Sequence, residues 1–244
     1  MAIPKIIHYC WLSNEPVPKK FQQCMASWHT LMPDYEFWKW DFSRFPQGKI
    51  AWVDEAFAAR KYAFAADYIR LFALYNHGGI YMDMDVEVLK PFDDLLERRE
   101  FIGWEHNGKN LEVAVFGTEA HVPWLQAGLN YYEDKHFDAN RAFQEISPIV
   151  ILKAMQTHGW GVTKLGHPKP NCVEIFPSDY FSPKNWVNGK LHVTSNTYCI
   201  HHFSDTWVST GQRWEKKFWN LLGLKTQHVT WHLDKLLRKI GLRK

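Results

Sequence analysis

The sequence predicts an α/β fold built around one large domain. Short apolar segments typical of buried strands alternate, through the first half of the chain, with segments whose apolar residues recur every three or four positions. The chain has 244 residues, of which 46% are hydrophobic, which is enough for one sizeable core. The sequence contains no internal repeat and no low-complexity linker. These observations favour a sheet with helices on both faces.

The elements follow in order along the chain. A buried strand at 3–12 is followed by a helix over 17–31 and a second strand at 34–41. The periodic segment 61–79 predicts a helix that ends at Gly78 or Gly79. Extended chain follows to residue 89, and 90–96 predicts a turn into a short helix. Later strands are predicted at 100–106, 112–117, 172–176 and 197–203, and later helices at 122–134 and 148–159.

Composition excludes several classes of function. A net charge of +3 is too mild to indicate nucleic-acid binding, and no nucleic-acid module is visible. The N-terminus lacks the pattern of a signal peptide, and no window approaches the roughly 18 apolar residues of a spanning helix. We therefore expect a cytoplasmic protein. In that compartment the widely spaced cysteines (Cys10, Cys24, Cys172 and Cys199) favour buried thiols over disulfides.

Two aspartates interrupt the apolar run "GGIYMDMDVEVL". On a strand, Asp83 and Asp85 would point the same way because side chains alternate between faces. Burying unpaired carboxylates is costly, so the pair needs a cation, and Mg²⁺ or Mn²⁺ leaves positions for phosphate oxygens. The pattern favours a metal–diphosphate site at the end of a strand. A solvated turn is the alternative for an isolated DxD.

Asp67 and Arg70 lie three positions apart on the helix before the aspartates and share one face. One reading is a local surface ion pair of small energetic value. The surrounding residues are almost all apolar, however, and this favours a buried pair able to hydrogen-bond a polyhydroxylated ligand.

Residues 65–96 resemble the signature of glycosyltransferase family 32, the DxD sugar transferases of capsule and outer-polysaccharide synthesis. The resemblance implies a GT-A type, Rossmann-like single domain with a mixed central sheet, which we place at 1–223. It also implies transfer with retention of anomeric configuration. The pattern is filled by Ala66, Asp67, Arg70, Gly78, Gly79, Tyr81, Asp83 and Asp85.

Two flanking segments are similar to the same family. Trp11 matches the aromatic residue that contacts the nucleotide base in the family. Stacking of Trp11 on uracil would favour a UDP-linked donor, and a GDP-linked donor stays a second possibility. The segment 198–207 resembles the family's C-terminal "HH…SW" stretch, which implies His202 as a metal ligand, with His201 as the fallback. Trp207 would cover the diphosphate. The family's serine and glycine are replaced here by Thr206 and Ser147, and Asp205 would either add a ligand or only form a hydrogen bond.

The resemblance also implies roles for these residues. Mn²⁺ or Mg²⁺ on Asp83 and Asp85 would bridge the donor phosphates. Asp67 and Arg70 would hold sugar hydroxyls, and Tyr81 would pack near the sugar or phosphate. Glu105 follows a strand and is a candidate nucleophile, although a front-side route needs none.

The acceptor would be a saccharide or a lipid-linked saccharide in capsule or lipopolysaccharide synthesis. Residues 224–244 predict a basic amphipathic helix suited to peripheral membrane contact, or an ordinary packed helix. Two other functions stay open, a metal-dependent nucleotide-sugar hydrolase and a non-catalytic Ca²⁺-dependent carbohydrate-binding protein.

Overall fold

The computed structural model describes residues 2–106, 108–186 and 188–204. These residues form the α/β structure that the sequence predicts. The strands are β1 (Ile6–Cys10), β2 (Glu36–Trp40), β3 (Gly79–Met82), β4 (Val86–Val88), β5 (Glu100–Trp104), β6 (Leu111–Thr118), β7 (Gly161–Lys164), β8 (Cys172–Phe176) and β9 (Cys199–His201). The α-helices are α1 (Lys19–Leu31), α2 (Ala51–Ala58), α3 (Tyr62–His77), α4 (Pro123–Glu133), α5 (Ser147–Thr157) and α6 (Ser178–Phe181).

Seven strands form one mixed sheet in the order β2-β1-β3-β6-β5-β8-β7. β6 pairs antiparallel with β3 and β5, whereas the other neighbouring strands pair in parallel. Met82, at the end of β3, therefore lies opposite Val115 in β6. The start of β6 thus lies at the edge where β3 ends, and ligands of open α/β sheets bind outside the carboxyl ends of strands.

The sheet has a hydrophobic core on each face. One core contains residues from α2, α3, α4 and α5, and the other contains residues from α1, β4, α6 and β9. β3 contributes to both because its side chains alternate. Tyr81 packs in the first core, while Ile80 and Met82 pack in the second. This alternation directs the Tyr81 ring toward α3.

A glycine pair connects α3 to β3. Gly78 has φ 64° and Gly79 has φ 102°, both in the left-handed region that favours glycine. A Cβ on Gly79 would lie 2.7 Å from the Ile6 carbonyl oxygen of β1. The buried His8 ring on β1 contacts the Gly78 carbonyl through Nε2 at 2.8 Å and accepts from Trp40 Nε1 at 3.0 Å. Burial lowers the pKa of His8 to about 4, so the ring is neutral and donates to Gly78.

The structure differs from the sequence prediction at the two aspartates. β3 ends at Met82 and β4 begins at Val86, so Asp83 and Asp85 lie in a turn and not on one face of a strand. The turn is closed by a bond from the Val86 amide to the Asp83 carbonyl at 3.0 Å. β4 then leaves the main sheet and pairs with β9.

Three of these strands and α-helices were not predicted, namely α2, β7 and α6, and neither was the 3-10 helix Ala142–Gln144. α2 spans 8 residues and has no side-chain cap at its start, so the usual sequence signals are missing. The proposed segment 224–244 lies outside the described residues. Within the described part of the chain, no helix combines the length and apolar character needed to cross a membrane.

Candidate functional site

The Asp83–Asp85 turn is fixed against β6 and the segment after β9. The Asp83 amide donates to the Ala114 carbonyl at 2.7 Å. The Ser204 amide donates to Asp85 Oδ2 at 2.7 Å. Asp85 is buried, while 31% of the Asp83 side chain is exposed. Backbone bonds therefore fix the main chain at Asp83 and the carboxylate of Asp85, and the Asp83 side chain is the more exposed of the two.

His201 completes a candidate metal centre with the two aspartates. One ligand atom from each of Asp83, Asp85 and His201 lies within 4.8 Å of the others. His201 Nε2 is 3.6 Å from Asp85 Oδ1. Two carboxylates and an imidazole form a donor set that suits Mn²⁺ and also accepts Mg²⁺. The residues present therefore fit a divalent ion.

The other ring nitrogen of His201 faces Glu112 on β6. His201 Nδ1 is 3.2 Å from Glu112 Oε1, and the Ala114 amide donates to the same oxygen at 2.9 Å. Burial alone would lower the pKa of His201, but the charges of Glu112 and Asp85 outweigh burial and raise it to about 9. Burial likewise opposes the charge on Asp85, yet His201 and the Ser204 amide lower the pKa of that carboxyl.

Asp67 and Arg70 form a buried network beside the turn. Arg70 Nη2 lies 3.2 Å from Asp67 Oδ1 and 3.5 Å from Asp83 Oδ1, and Nη1 donates to the Val113 carbonyl at 2.7 Å. Ser147 donates to Asp67 through its hydroxyl at 2.7 Å and its amide at 3.2 Å. Burial raises the pKa of Asp67 to about 6, even though Arg70 and Ser147 favour its charged form.

Tyr81 joins the network to the turn. Its hydroxyl donates to Asp83 Oδ1 at 3.0 Å, and the Arg70 guanidinium lies 4.7 Å from the centre of its ring. Burial raises the pKa of Asp83, partly offset by Arg70. The Arg70 guanidinium thus contacts two carboxylates, those of Asp67 and Asp83, and the ring of Tyr81.

A groove of about 750 Å³ opens over these residues. Trp11 lies on its wall, with the indole N–H donating to the Glu15 carbonyl at 3.0 Å and its ring edge-on to Phe21. Glu105 lines another part and accepts from the Asn110 amide group at 3.0 Å. Arg60 and Lys61, just before α3, bring positive charge to the groove. The groove is large enough for a nucleotide-sized ligand.

The structure brings most of the predicted site residues to this groove. Trp11, Asp67, Arg70, Tyr81, Asp83 and Asp85 all line it. His202 does not join them, because its Nε2 contacts Glu87 Oε2 at 2.8 Å, and His201 is the histidine beside the aspartates. Asp205, Thr206 and Trp207 lie outside the described residues.

Sequence reasoning missed Glu112 and Ser204. Glu112 had a readable signal, since it is a charged residue inside the apolar run "LEVAVFG". A carboxylate in such a run needs a buried partner. Ser204 acts through its backbone amide, which no residue pattern could indicate.

Residues 18–102 match the family described as "Glycosyltransferase sugar-binding region containing DXD motif". Over this stretch the chain is similar to DXD-containing glycosyltransferases. It includes Asp67, Arg70, Tyr81 and both aspartates of the turn.

Several curated fungal proteins are similar to the chain. Inositol phosphoceramide mannosyltransferase 3 of Schizosaccharomyces pombe is 38% identical over 99 residues, covering 39% of this chain and 28% of that protein. Mannosyl phosphorylinositol ceramide synthase SUR1 of Saccharomyces cerevisiae is 32% identical over 235 residues, covering 93% of this chain and 56% of that protein. The chain thus spans about a quarter to just over half of these relatives.

A solved structure, "PaToxG Glycosyltransferase", has a TM-score of 0.51 at 19% identity, covering 65% of this chain and 70% of that one. This likeness supports the GT-A type fold. The fungal relatives give no support to the expected capsule or lipopolysaccharide context, since their names refer to mannosyl transfer and inositol phosphoceramide.

Proposed function

We propose that the protein is a metal-dependent glycosyltransferase that moves a mannosyl group from a nucleoside diphosphate donor to an inositol phosphate lipid. The observation that carries the proposal is the Asp83–Asp85–His201 cluster beside the Asp67–Arg70 pair at one groove. The matched DXD region supports glycosyl transfer. The names of the fungal relatives favour mannose and a sphingolipid acceptor.

Asp83, Asp85 and His201 would hold Mn²⁺ or Mg²⁺. The ion would supply Lewis-acid stabilisation of the departing diphosphate. Arg70, fixed by the Val113 carbonyl and Asp67, would add a positive charge that needs no rearrangement during reaction. Trp11 would contact the nucleotide base from the groove wall.

Asp67 would accept hydrogen bonds from donor-sugar hydroxyls in place of, or beside, Ser147. We propose retention of configuration by front-side attack, in which the leaving phosphate oxygen takes the acceptor proton and no protein nucleophile is needed. Glu105 is the carboxylate to test for the alternative, because it lines the same groove.

The acceptor would enter past Arg60 and Lys61. Both line the groove and carry the charge opposite to that of a phosphodiester headgroup. A lipid acceptor would place the enzyme at a membrane surface, which agrees with the predicted basic segment 224–244.

The test measures release of nucleoside diphosphate and mannosylated lipid from GDP-mannose and UDP-linked sugars, with Mn²⁺ and inositol phosphoceramide vesicles. Asp85→Asn should lower turnover at least about 100-fold. Asp34→Asn, which alters an exposed aspartate paired with Lys5, should leave it unchanged.

A rate of donor cleavage that is the same with and without the acceptor would favour the nucleotide-sugar hydrolase. No nucleotide binding with tight Ca²⁺ binding would favour the carbohydrate-binding protein. Transfer that survives Asp85→Asn at full rate would contradict the proposed metal centre.

A further inference from the structure

We infer that Glu112 is a positioning residue that holds His201 through Nδ1, so that Nε2 is the ring nitrogen that faces Asp83 and Asp85 and is the one a metal ion would bind. This inference rests on the metal centre of the proposed function. It assigns a role to a buried carboxylate that is not itself one of the clustered metal ligands.

The first support is burial. Glu112 is 1% exposed and lies in β6, where all 8 residues are buried. A carboxylate at such a position is costly unless its oxygens have partners. Its described partners are the Ala114 amide of its own strand and the ring of His201. Burying the Glu112 carboxylate therefore costs free energy unless it is paired, and His201 is the side chain that pairs with it.

The second support is geometry. Both oxygens of Glu112 lie near His201 Nδ1, Oε1 at 3.2 Å and Oε2 at 3.3 Å. An ionised carboxylate only accepts hydrogen bonds, so beside ionised Glu112 the facing Nδ1 carries a proton. When a metal ion displaces the proton from Nε2, the ring keeps its proton on Nδ1 toward Glu112, and the Nε2 lone pair, 3.6 Å from Asp85 Oδ1, becomes the ligand. Glu112 thus keeps Nδ1 engaged and leaves Nε2 as the nitrogen directed at the metal centre.

The neighbouring histidine provides an internal comparison. His202 also contacts a carboxylate, but through Nε2 and Glu87 Oε2 at 2.8 Å. Glu87 is more exposed, with 42% of its side chain accessible, and it is not part of the Asp83–Asp85–His201 cluster. Glu87→Gln is therefore a matched control for Glu112→Gln.

The experiment measures Mn²⁺ affinity by electron paramagnetic resonance of free Mn²⁺, without any turnover. In Glu112→Gln, the new side-chain amide could present an N–H to His201 Nδ1, which would move the proton to Nε2. We expect this substitution to weaken Mn²⁺ binding about 10- to 100-fold. Glu87→Gln should change it less than about twofold, because Glu87 lies outside the cluster. Unchanged affinity in folded Glu112→Gln would overturn the inference.

A second measurement is made on the wild-type protein and so does not depend on the folding of Glu112→Gln. In ¹⁵N-histidine-labelled wild-type protein with Zn²⁺, the His201 shifts should report a protonated Nδ1 and a metal-bound Nε2. His201→Asn identifies the signal. A protonated Nε2 in the presence of Zn²⁺, or a His201 signal that does not change when Zn²⁺ is added, would overturn the inference. If the wild-type protein binds neither Mn²⁺ nor Zn²⁺, the proposed metal centre fails first, and this failure is distinct from one confined to Glu112.

Discussion

At the scale of single residues, Arg70 organises the site. Its guanidinium lies near two carboxylates, Asp67 and Asp83, and donates to the Val113 carbonyl. Burial opposes the charge on Arg70, but Asp83 and Asp67 outweigh burial and raise its pKa above the ordinary value. The planar fork of arginine serves several acceptors at fixed positions, which a lysine ammonium cannot do in the same way.

Arg70→Met should therefore destabilise the fold, because it leaves Asp67 and Asp83 without their cation. Removing one partner of a buried ion pair costs about 3–5 kcal/mol in the free energy of unfolding. Urea unfolding would measure the loss, and Asp67→Asn in the same chain should reduce it. Arg98→Met is the control, since Arg98 is 41% exposed and lies 3.6 Å from Glu174. It should cost under about 1 kcal/mol. Equal losses in the two variants would contradict this account.

At the scale of elements, the turn from α3 to β3 determines where the aspartates lie. Gly79 has φ 102°, and an added Cβ would lie 2.7 Å from the Ile6 carbonyl. Gly79→Ala should thus combine backbone strain with a clash against β1, for a total of about 3 kcal/mol. Gly48 is the matched control, because it has φ 85° and open space around its Cβ position. Gly48→Ala should cost only the strain, about 1–2 kcal/mol. Denaturant midpoints of the two variants measure the difference. Equal losses of stability would mean that the backbone near Ile6 moves to accept the new Cβ at no cost.

The elements also explain how far sequence reasoning reached. The helix, glycine pair and aspartates are local in sequence, so their spacing together with the family resemblance indicated that Asp67, Arg70 and Asp83 belong together. The choice between His201 and His202 depends on the pairing of β4 with β9, which places His201 opposite Val86. Adjacent residues on a strand face opposite ways, so this register decides which ring meets Asp85. No local pattern fixes the register of two distant strands.

At the scale of the whole molecule, the site is assembled from α3, the β3–β4 turn, β6, α5 and the end of β9. Glu112, Ser147 and Ser204 reach it only because β6 runs against its neighbours and α5 and β9 pack on opposite sides of the sheet. Their partners lie 80 or more residues away in the chain. Sequence alone therefore predicted the sheet and the local motif, but not the buried contacts that complete the site.

Because the site joins so many elements, ligand binding should stabilise the molecule as a whole. Mn²⁺ with a nucleoside diphosphate at about 100 times its Kd should add about 2.7 kcal/mol, or about 5–10 °C in Tm. The matching nucleoside monophosphate should give a smaller shift, since it lacks the second phosphate that would share the ion. Asp85→Asn should remove the diphosphate shift, while Asp34→Asn should keep it. Differential scanning fluorimetry measures all four arms. An equal shift in Tm from the monophosphate and the diphosphate would indicate that the second phosphate adds nothing to binding. That result would contradict a metal ion shared with the diphosphate.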